Sequence, residues 1–441
     1  MIYKELIDLL DFNNIDLYLR EVKENNFSYK LIFFSSLIDE AMLMELQRSI
    51  RMSENKNQVI SKLDNIKIKV SNEVKDAISL LHEGQTILYL NDENYFIMVD
   101  IRKTPLRSIG ESEAEKSIRG AKDGFNESLI TNISLIRGRI KSNDLKVEGY
   151  KVGKVQSLCL LYLDNLVDKH KLDDIKNKIN SIKKESYISS EKELEELIFS
   201  QNKTIFPLVR FTERPDVTSI YLSRGYFVLM LENNASVLIL PISLFDHLKN
   251  VEEYSQNFII GNFTKFIRLV GFILSLYFLP LSYIFSTSSC FTTLNIENTS
   301  SIPLSLQFLI GVFVIELFRN AIIHTPNSLS LALSIVVGFI LGEVSMSLGI
   351  FMKDVLIVLS IFTISSFAIP SYELSLTCRV LSIFLLVISI LFSLPGFIVS
   401  VLLIFIHLTR LKVLSYPYLY PLIPLNLKEL KNKVTRRKKE K

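Results

Sequence analysis

At Lys265 this 441-residue chain changes solvent: the residues before it are written for water, and those beyond it are written for lipid. Residues 266–412 hold six Lys/Arg (Arg268, Arg319, Lys353, Arg379, Arg410, Lys412) and five acids (Glu297, Glu316, Glu343, Asp354, Glu373), while the rest carries 85 of the 96 formal charges. Runs such as 269–285 and 329–350 approach or reach the roughly 20 apolar residues that a helix needs to cross hydrocarbon. A buried core helix would be shorter and would keep a polar face. The expected architecture is a water-soluble region followed by an all-α polytopic transmembrane domain.

Elsewhere composition mainly excludes. A net charge of +4 is too small to suggest nucleic acid. The basic residues that matter close the chain: Lys431, Lys433, Arg436, Arg437, Lys438, Lys439 and Lys441. They read as a contact for nucleic acid or anionic lipid or, more simply, as an anchor on the cytoplasmic side. The three cysteines (Cys159, Cys290, Cys378) and five histidines (His82, His170, His247, His324, His407) have no metal-ligand spacing, so no metal, cofactor or disulfide is expected. No constellation of acids or of Ser, His and Asp suggests an enzyme, and neither a Walker A sequence nor GxGxxG is present. The start of the chain is interrupted by Asp8, Asp11 and Asp16 and lacks the basic-then-apolar pattern of a secretory leader.

A cytosolic N-terminus, a loop 286–303 without Lys or Arg, and a basic tail together predict an even number of crossings. Six apolar segments are expected, at 266–286, 304–322, 328–350, 354–370, 377–394 and 396–412, the last two joined by a tight turn at Leu394-Pro395-Gly396. Four crossings with re-entrant pieces are the alternative.

The soluble half repeats itself. Residues 30–39 and 158–168 each read as an apolar strand, then a Leu-Ile-Asp or Leu-Val-Asp turn into a charged helix, with Asp39 and Asp168 as N-caps. Residues 84–100 and 225–241 each begin with Gly and continue as a hairpin of alternating strands. The offset is 129 residues for the first pair (Asp39 to Asp168) and 141 for the second (Gly84 to Gly225). These strings predict two related α/β subdomains, 1–103 and 154–262, around a connector 104–153, then a transmembrane domain 263–414 of four to six segments and a basic tail 415–441.

The connector is the most distinctive stretch. Gly120 and Gly124 let the backbone turn sharply before a helix whose apolar face is Phe125, Leu129, Asn132/Ile133, Ile136 and Ile140. Arg137, Arg139 and Lys141 fall in its last turn, where cations suit the helix dipole. The residues leave open an anion-binding helix end or a packed linker.

This stretch resembles the signature of GerA-type spore germinant receptor A subunits, E-x3-R-G-P-x2-G-F-x-E-x4-N-x4-R-x-R-I, here carried by Glu115, Arg119, Gly120, Gly124, Phe125, Glu127, Asn132, Arg137, Arg139 and Ile140. Phe206-Pro207 and Glu213-Arg214-Pro215-Asp216 resemble further elements of that family, as do Glu316-Leu-Phe-Arg319, Val337-Gly338-x3-Gly342, residues 365–370 (SSFAIP) and residues 415–421 (SYPYLYP). Ala121, Asn320, Glu343 and Ser415 depart from the family pattern; Asn320 and Glu343 bear on ion preference. The resemblance covers roughly residues 25–425 and extends to the stage V sporulation protein AF type. It implies a receptor subunit in the inner membrane of a dormant spore, with both termini cytoplasmic. It also implies a transporter-like B subunit and a lipoprotein C subunit as partners, self-assembly into a ring, and release of monovalent cations. A secondary transporter and a non-conducting membrane scaffold are the alternatives.

Within the membrane half, Glu316 and Arg319 stand i, i+3 on one segment, as an ion-pathway element or as a structural pair at the cytoplasmic boundary. Glu343 lies deep in a segment without a basic residue, beside the small-residue stripe Ser334, Gly338, Gly342, Ser345 and Gly349. The stripe reads as close helix packing or as the lining of a pore.

Overall fold

In the computed structural model the strand–Asp–helix string forms twice, and it sets the plan of each α/β unit. The structure describes residues 2–10, 17–23, 27–53, 56–63, 67–91, 93–102, 115, 120–153, 156–183, 188–200, 204–250, 256–287, 300–323 and 325–434. Asp39 accepts from the amides of Ala41 and Met42 to start α2 (Glu40–Arg51), and Asp168 accepts from His170 to start α6 (Lys169–Asn180). Each cap satisfies amides that a first helical turn leaves without partners.

The first unit comprises α1 (Ile2–Leu9), β1 (Leu17–Lys23), β2 (Ser28–Phe34), α2, α3 (Lys56–Lys62), β3 (Ile68–Ser71), α4 (Val74–His82), β4 (Thr86–Leu90) and β5 (Phe96–Val99). Its antiparallel sheet has the order β1-β2-β4-β5-β3. Leu43, Leu46, Ile50 and Val59 of α2 and α3, with Leu63 just after α3, cover one face, and Leu6, Val74, Ala77 and Leu81 of α1 and α4 cover the other. Covered on both sides, β4 and β5 are buried throughout and read as continuous apolar runs.

The second sheet follows the same plan with α5 (Leu129–Arg139), β6 (Leu145–Val152), β7 (Gln156–Leu163), α6, α7 (Glu191–Ile198), β8 (Arg210–Thr212), α8 (Pro215–Leu222), β9 (Phe227–Leu231) and β10 (Val237–Leu240). Its order, β6-β7-β9-β10-β8, is that of the first sheet element for element. Gly84 and Gly225 enter their hairpins with φ of +92° and +82°, a conformation that favours glycine. The structure draws the unit boundary differently from the sequence reading. The expected connector, 104–153, contains the helix and first strand of the second α/β layer: β6 pairs with β7 from Leu145↔Leu163 to Val152↔Gln156. Ile136 of α5 packs with Val217, Tyr221 and Val228. The contact division falls between Arg107 and Ser108, with residues 108–441 as one unit.

That second unit includes the membrane helices α10 (Phe258–Thr287), α11 (Leu304–Ile323), α12, α13 (Lys353–Phe367) and α14 (Tyr372–Arg410), preceded by a short α9 (Leu244–His247). Helix α12 runs over Asn327–Phe339, opens into a π turn at Ile340–Val344 and closes as Ser345–Ser347. Among the described residues, four helices (α10, α11, Leu329–Ser347 within α12, and α14) are long and apolar enough to cross a membrane, whereas α13 has 15 residues. Helix α14 is broken at Ser393 (φ 54°, ψ −148°), beside the expected Leu394-Pro395-Gly396 turn. The chain doubles back there: Thr377 bonds to the Ile205 carbonyl, and His407, from the other half, bonds to Thr204. After α14, the two-residue strands β11 (Lys412–Val413) and β12 (Tyr416–Pro417) pair and lead to α15 (Leu427–Val434).

Candidate functional site

The signature residues build a joint on the second sheet. Glu115 accepts from Arg210 Nη2 (3.2 Å), bonds to Thr212, and offers its carbonyl to Arg214 Nη1 (3.3 Å). Arg214 in turn grips Asp216 through Nε (3.0 Å) and Nη2 (2.8 Å). The amide of Phe125 donates to the Glu213 carbonyl (2.8 Å), so two motifs far apart in sequence meet along one backbone. Phe125 lies in the loop before α5, because Ser128 caps the helix and Leu129 is its first residue. The ring nevertheless reaches the core that holds Ile136. Asn132, fully buried, accepts from the Asn126 amide (2.9 Å) and donates to the Asn126 carbonyl (2.6 Å). A side-chain amide thus supplies both partners that a buried loop residue needs. Gly120 has φ +111°, Gly124 is buried, and the Glu127 carbonyl accepts from Asn233 in the β9–β10 turn. Arg139 pairs with Asp123 (2.6 Å) and Arg137 is exposed in the last turn of α5. Arg119 lies outside the described residues.

In the membrane half the structure brings Glu316 and Arg319 together (3.6 Å) and adds a partner from another helix. Arg379 of α14 donates to Glu316 Oε2 at 2.7 Å. Arg319 donates to Ser366 Oγ (2.6 Å) and the Thr363 carbonyl (3.2 Å) on α13 and lies 4.7 Å from the Phe367 ring. The E-x2-R and SSFAIP motifs therefore form one clasp across α11, α13 and α14. Two guanidinium groups against one carboxylate give it a formal charge of +1. The available sequence signal for Arg379 was its standing as a lone cation in an apolar segment, where a charge calls for a partner.

Helix α12 is the opposite case. Leu331, Ile335, Val336 and Phe339 are exposed, and an added Cβ at Gly338 or Gly342 would meet nothing within 4 Å. Glu343 stands exposed in the π turn and, among the described residues, makes no hydrogen bond or ion pair. The expected stripe does not stay on one face. The wider π turn shifts the register, so that Ser345 turns inward and bonds to the Ile340 carbonyl (2.8 Å), and Gly349 ends the helix with φ +63°.

The join between the second sheet and the membrane helices is a buried polar knot that the sequence reading missed. His247, fully buried in α9, lies 3.2 Å from the Pro207 carbonyl and 3.1 Å from Ser371 Oγ at the start of α14. A carbonyl only accepts, so Nε2 carries the imidazole proton, and Nδ1 faces Ser371 Oγ, which also lies 3.1 Å from Glu373 Oε2. Burial, with the charge of Arg210 nearby, pushes this imidazole down to about 3. Asp246, also fully buried, accepts from Ser243 Oγ (2.6 Å), Lys249 (2.6 Å) and Lys433 (2.9 Å). Burial would raise its carboxyl, but Lys249 and Lys433 hold it well below the usual carboxylate range.

Fold and site define the class: a repeated α/β region joined to a bundle of apolar helices whose charged residues meet within the bundle. Residues 4–441 match the family described as Bacillus/Clostridium GerA spore germination protein, and the chain belongs to that family. It is 30% identical over 419 residues to stage V sporulation protein AF of Bacillus subtilis, covering 91% of this chain and 84% of that one. It is 27% identical over 443 residues to spore germination protein KA of Bacillus subtilis, covering 96% and 81%. It is also 27% identical over 452 residues to spore germination protein GerQA of Bacillus cereus, covering 98% and 90%. The crystal structure of the N-terminal domain of the A subunit of the Bacillus megaterium spore germinant receptor GerK3 matches at 23% identity with a TM-score of 0.23, covering 54% of this chain and 91% of that one.

Proposed function

We propose that this chain is an A-type subunit of a nutrient germinant receptor, multi-pass in the spore inner membrane with both termini cytoplasmic. In this reading it assembles with copies of itself, with a transporter-like B subunit and with a lipoprotein C subunit. It couples germinant sensing to release of monovalent cations. The observation that carries the reading is α12: an apolar helix whose glycines face open space and whose π turn presents an unpaired carboxylate, Glu343. A carboxylate at that depth is tolerable where water or a counter-charge reaches it, and glycine faces let neighbouring helices approach closely. Copies packed around a central path provide both.

A second reading, a non-conducting scaffold, is favoured by the Glu316–Arg319–Arg379 clasp, which ties three helices together. The two differ in assembly through α12. Gly342→Cys in the full chain, cross-linked in spore membranes with a short bis-thiol reagent, gives a ladder of multimers if α12 faces another copy. Cys159, Cys290 and Cys378 supply the background, read from the unsubstituted chain. A monomer band unchanged from that background would sink the ring and leave the scaffold.

A further inference from the structure

Helix α7 and the start of α14 stand on either side of a cleft of about 550 Å³, where the second α/β layer meets the membrane helices. Spacing brings the lining together. Lys192, Glu195, Glu196 and Phe199 stand at i, i+3, i+4 and i+7, on one face of α7 and its C-cap. Glu373, Leu376 and Thr377 repeat the first three offsets on α14. The loop between the helices is held from both sides. The Leu208 amide donates to Glu195 Oε1 (3.3 Å), and Thr377 donates to the Ile205 carbonyl (2.7 Å). Phe199, Phe206 and Leu208 give the cleft buried apolar walls, and Ile205 and Leu376 stand exposed.

The charges of the described lining are three carboxylates and one ammonium, and Lys192 pairs with Glu195 at 2.7 Å. Among the described residues, Glu196 makes no hydrogen bond or ion pair, and Glu373 lies 3.1 Å from Ser371 Oγ with no cation in contact. The charged groups acting most strongly on Glu373 are themselves carboxylates, Glu195 and Glu115. Lys203, between the lining residues Ser200 and Thr204, lies outside the described residues; counted as well, it still leaves three carboxylates against two ammonium groups. A cleft of this size takes a small organic molecule. Among the described residues no three His, Cys, Asp or Glu side chains gather closely enough to hold a metal ion. One carboxylate on each wall, with apolar surface between, fits two ammonium groups joined by methylenes. Each charge then meets a carboxylate, and the methylenes cover the apolar walls.

We infer that this cleft binds an aliphatic diamine, one ammonium at Glu196 and the other at Glu373, so that the ligand bridges α7 to α14. The inference does not depend on α12 bordering a cation path. The full chain is placed in phosphatidylcholine nanodiscs and titrated calorimetrically, at matched ionic strength, with cadaverine, pentylamine or magnesium. Pentylamine keeps the methylenes and has a single ammonium. Cadaverine should bind once per chain and about fivefold more tightly than pentylamine, the difference expected of one exposed ion pair. Glu196→Gln, which removes no hydrogen bond within the described residues, should bring cadaverine down to the level of pentylamine and leave pentylamine unchanged. Glu373→Gln should weaken both; should it fail to assemble, Glu196→Gln still decides. Equal binding of cadaverine and pentylamine, an equal response to magnesium, or undiminished cadaverine binding by Glu196→Gln overturns the site, as does no binding of cadaverine at all.

Discussion

His247 should make the join between the second α/β layer and the membrane helices sensitive to acid. Its imidazole titrates at 6.5 when free and at about 3 in the folded chain. A depressed value means that the unfolded chain binds the proton first as pH falls. The stabilisation is therefore whole above about 6.5 and is lost progressively toward about 3. At about 1.4 kcal/mol per pH unit, the loss between neutral pH and pH 5 is about 2 kcal/mol. The charged groups facing the ring are Arg210, a guanidinium, and Asp246, whose carboxyl Lys249 and Lys433 hold well below the usual carboxylate range. The assay is denaturant unfolding of the full chain in nanodiscs at pH 7.5 and 5.0, read by hydrogen exchange of residues 204–250. His247→Gln keeps a donor and an acceptor but no titration, so its pH dependence should be shallower by about 2 kcal/mol. Parallel curves for the two proteins would refute the argument.

Three further substitutions probe the framework. Asn132→Ala leaves the buried Asn126 amide and carbonyl without partners and should destabilise by about 2–5 kcal/mol, read as a lower unfolding midpoint and lower receptor abundance; normal stability would show that water replaces the side chain. Gly84→Ala should cost about 1–2 kcal/mol for its left-handed backbone. Gly225→Ala should cost more, because its Cβ would stand 2.6 Å from the Leu166 carbonyl oxygen whereas that of Gly84 meets its nearest neighbour at 3.4 Å; equal midpoints would contradict this. Arg379→Gln strips Glu316 of its 2.7 Å partner and should lower membrane abundance, and Glu316→Gln added to it should restore part of the loss. Additive losses would mean that the pair is not coupled.

What was legible in the sequence was local. Asp39 and Asp168 announced helix starts because an N-cap needs only its own next few amides, and the Leu394-Pro395-Gly396 turn lies at the break in α14. The repeat was visible through those caps and through Gly84 and Gly225. It was read too short, because β6 (LKVEGYKV) is half polar and does not look like a core strand. Pairings across long separations left no local trace: Lys433 finds Asp246 across 187 residues, and Arg379 finds Glu316 across 63. The π turn around Glu343 was equally hidden, since every residue from Ile340 to Val344 also suits an α-helix by composition.

Potassium release from spores is the measurement closest to the central claim that α12 borders a cation path. Spores carrying the unsubstituted chain, Glu343→Gln or Gly342→Leu are exposed to a mixture of amino acids and sugars, with receptor amounts matched by immunoblot. Glu343→Gln keeps the shape and removes the charge, so it should leave assembly intact and change the rate of release. Gly342→Leu places a side chain where close approach needs none, so it should slow or abolish release. Release at the unsubstituted rate from both variants would contradict the account and leave α12 as packing alone.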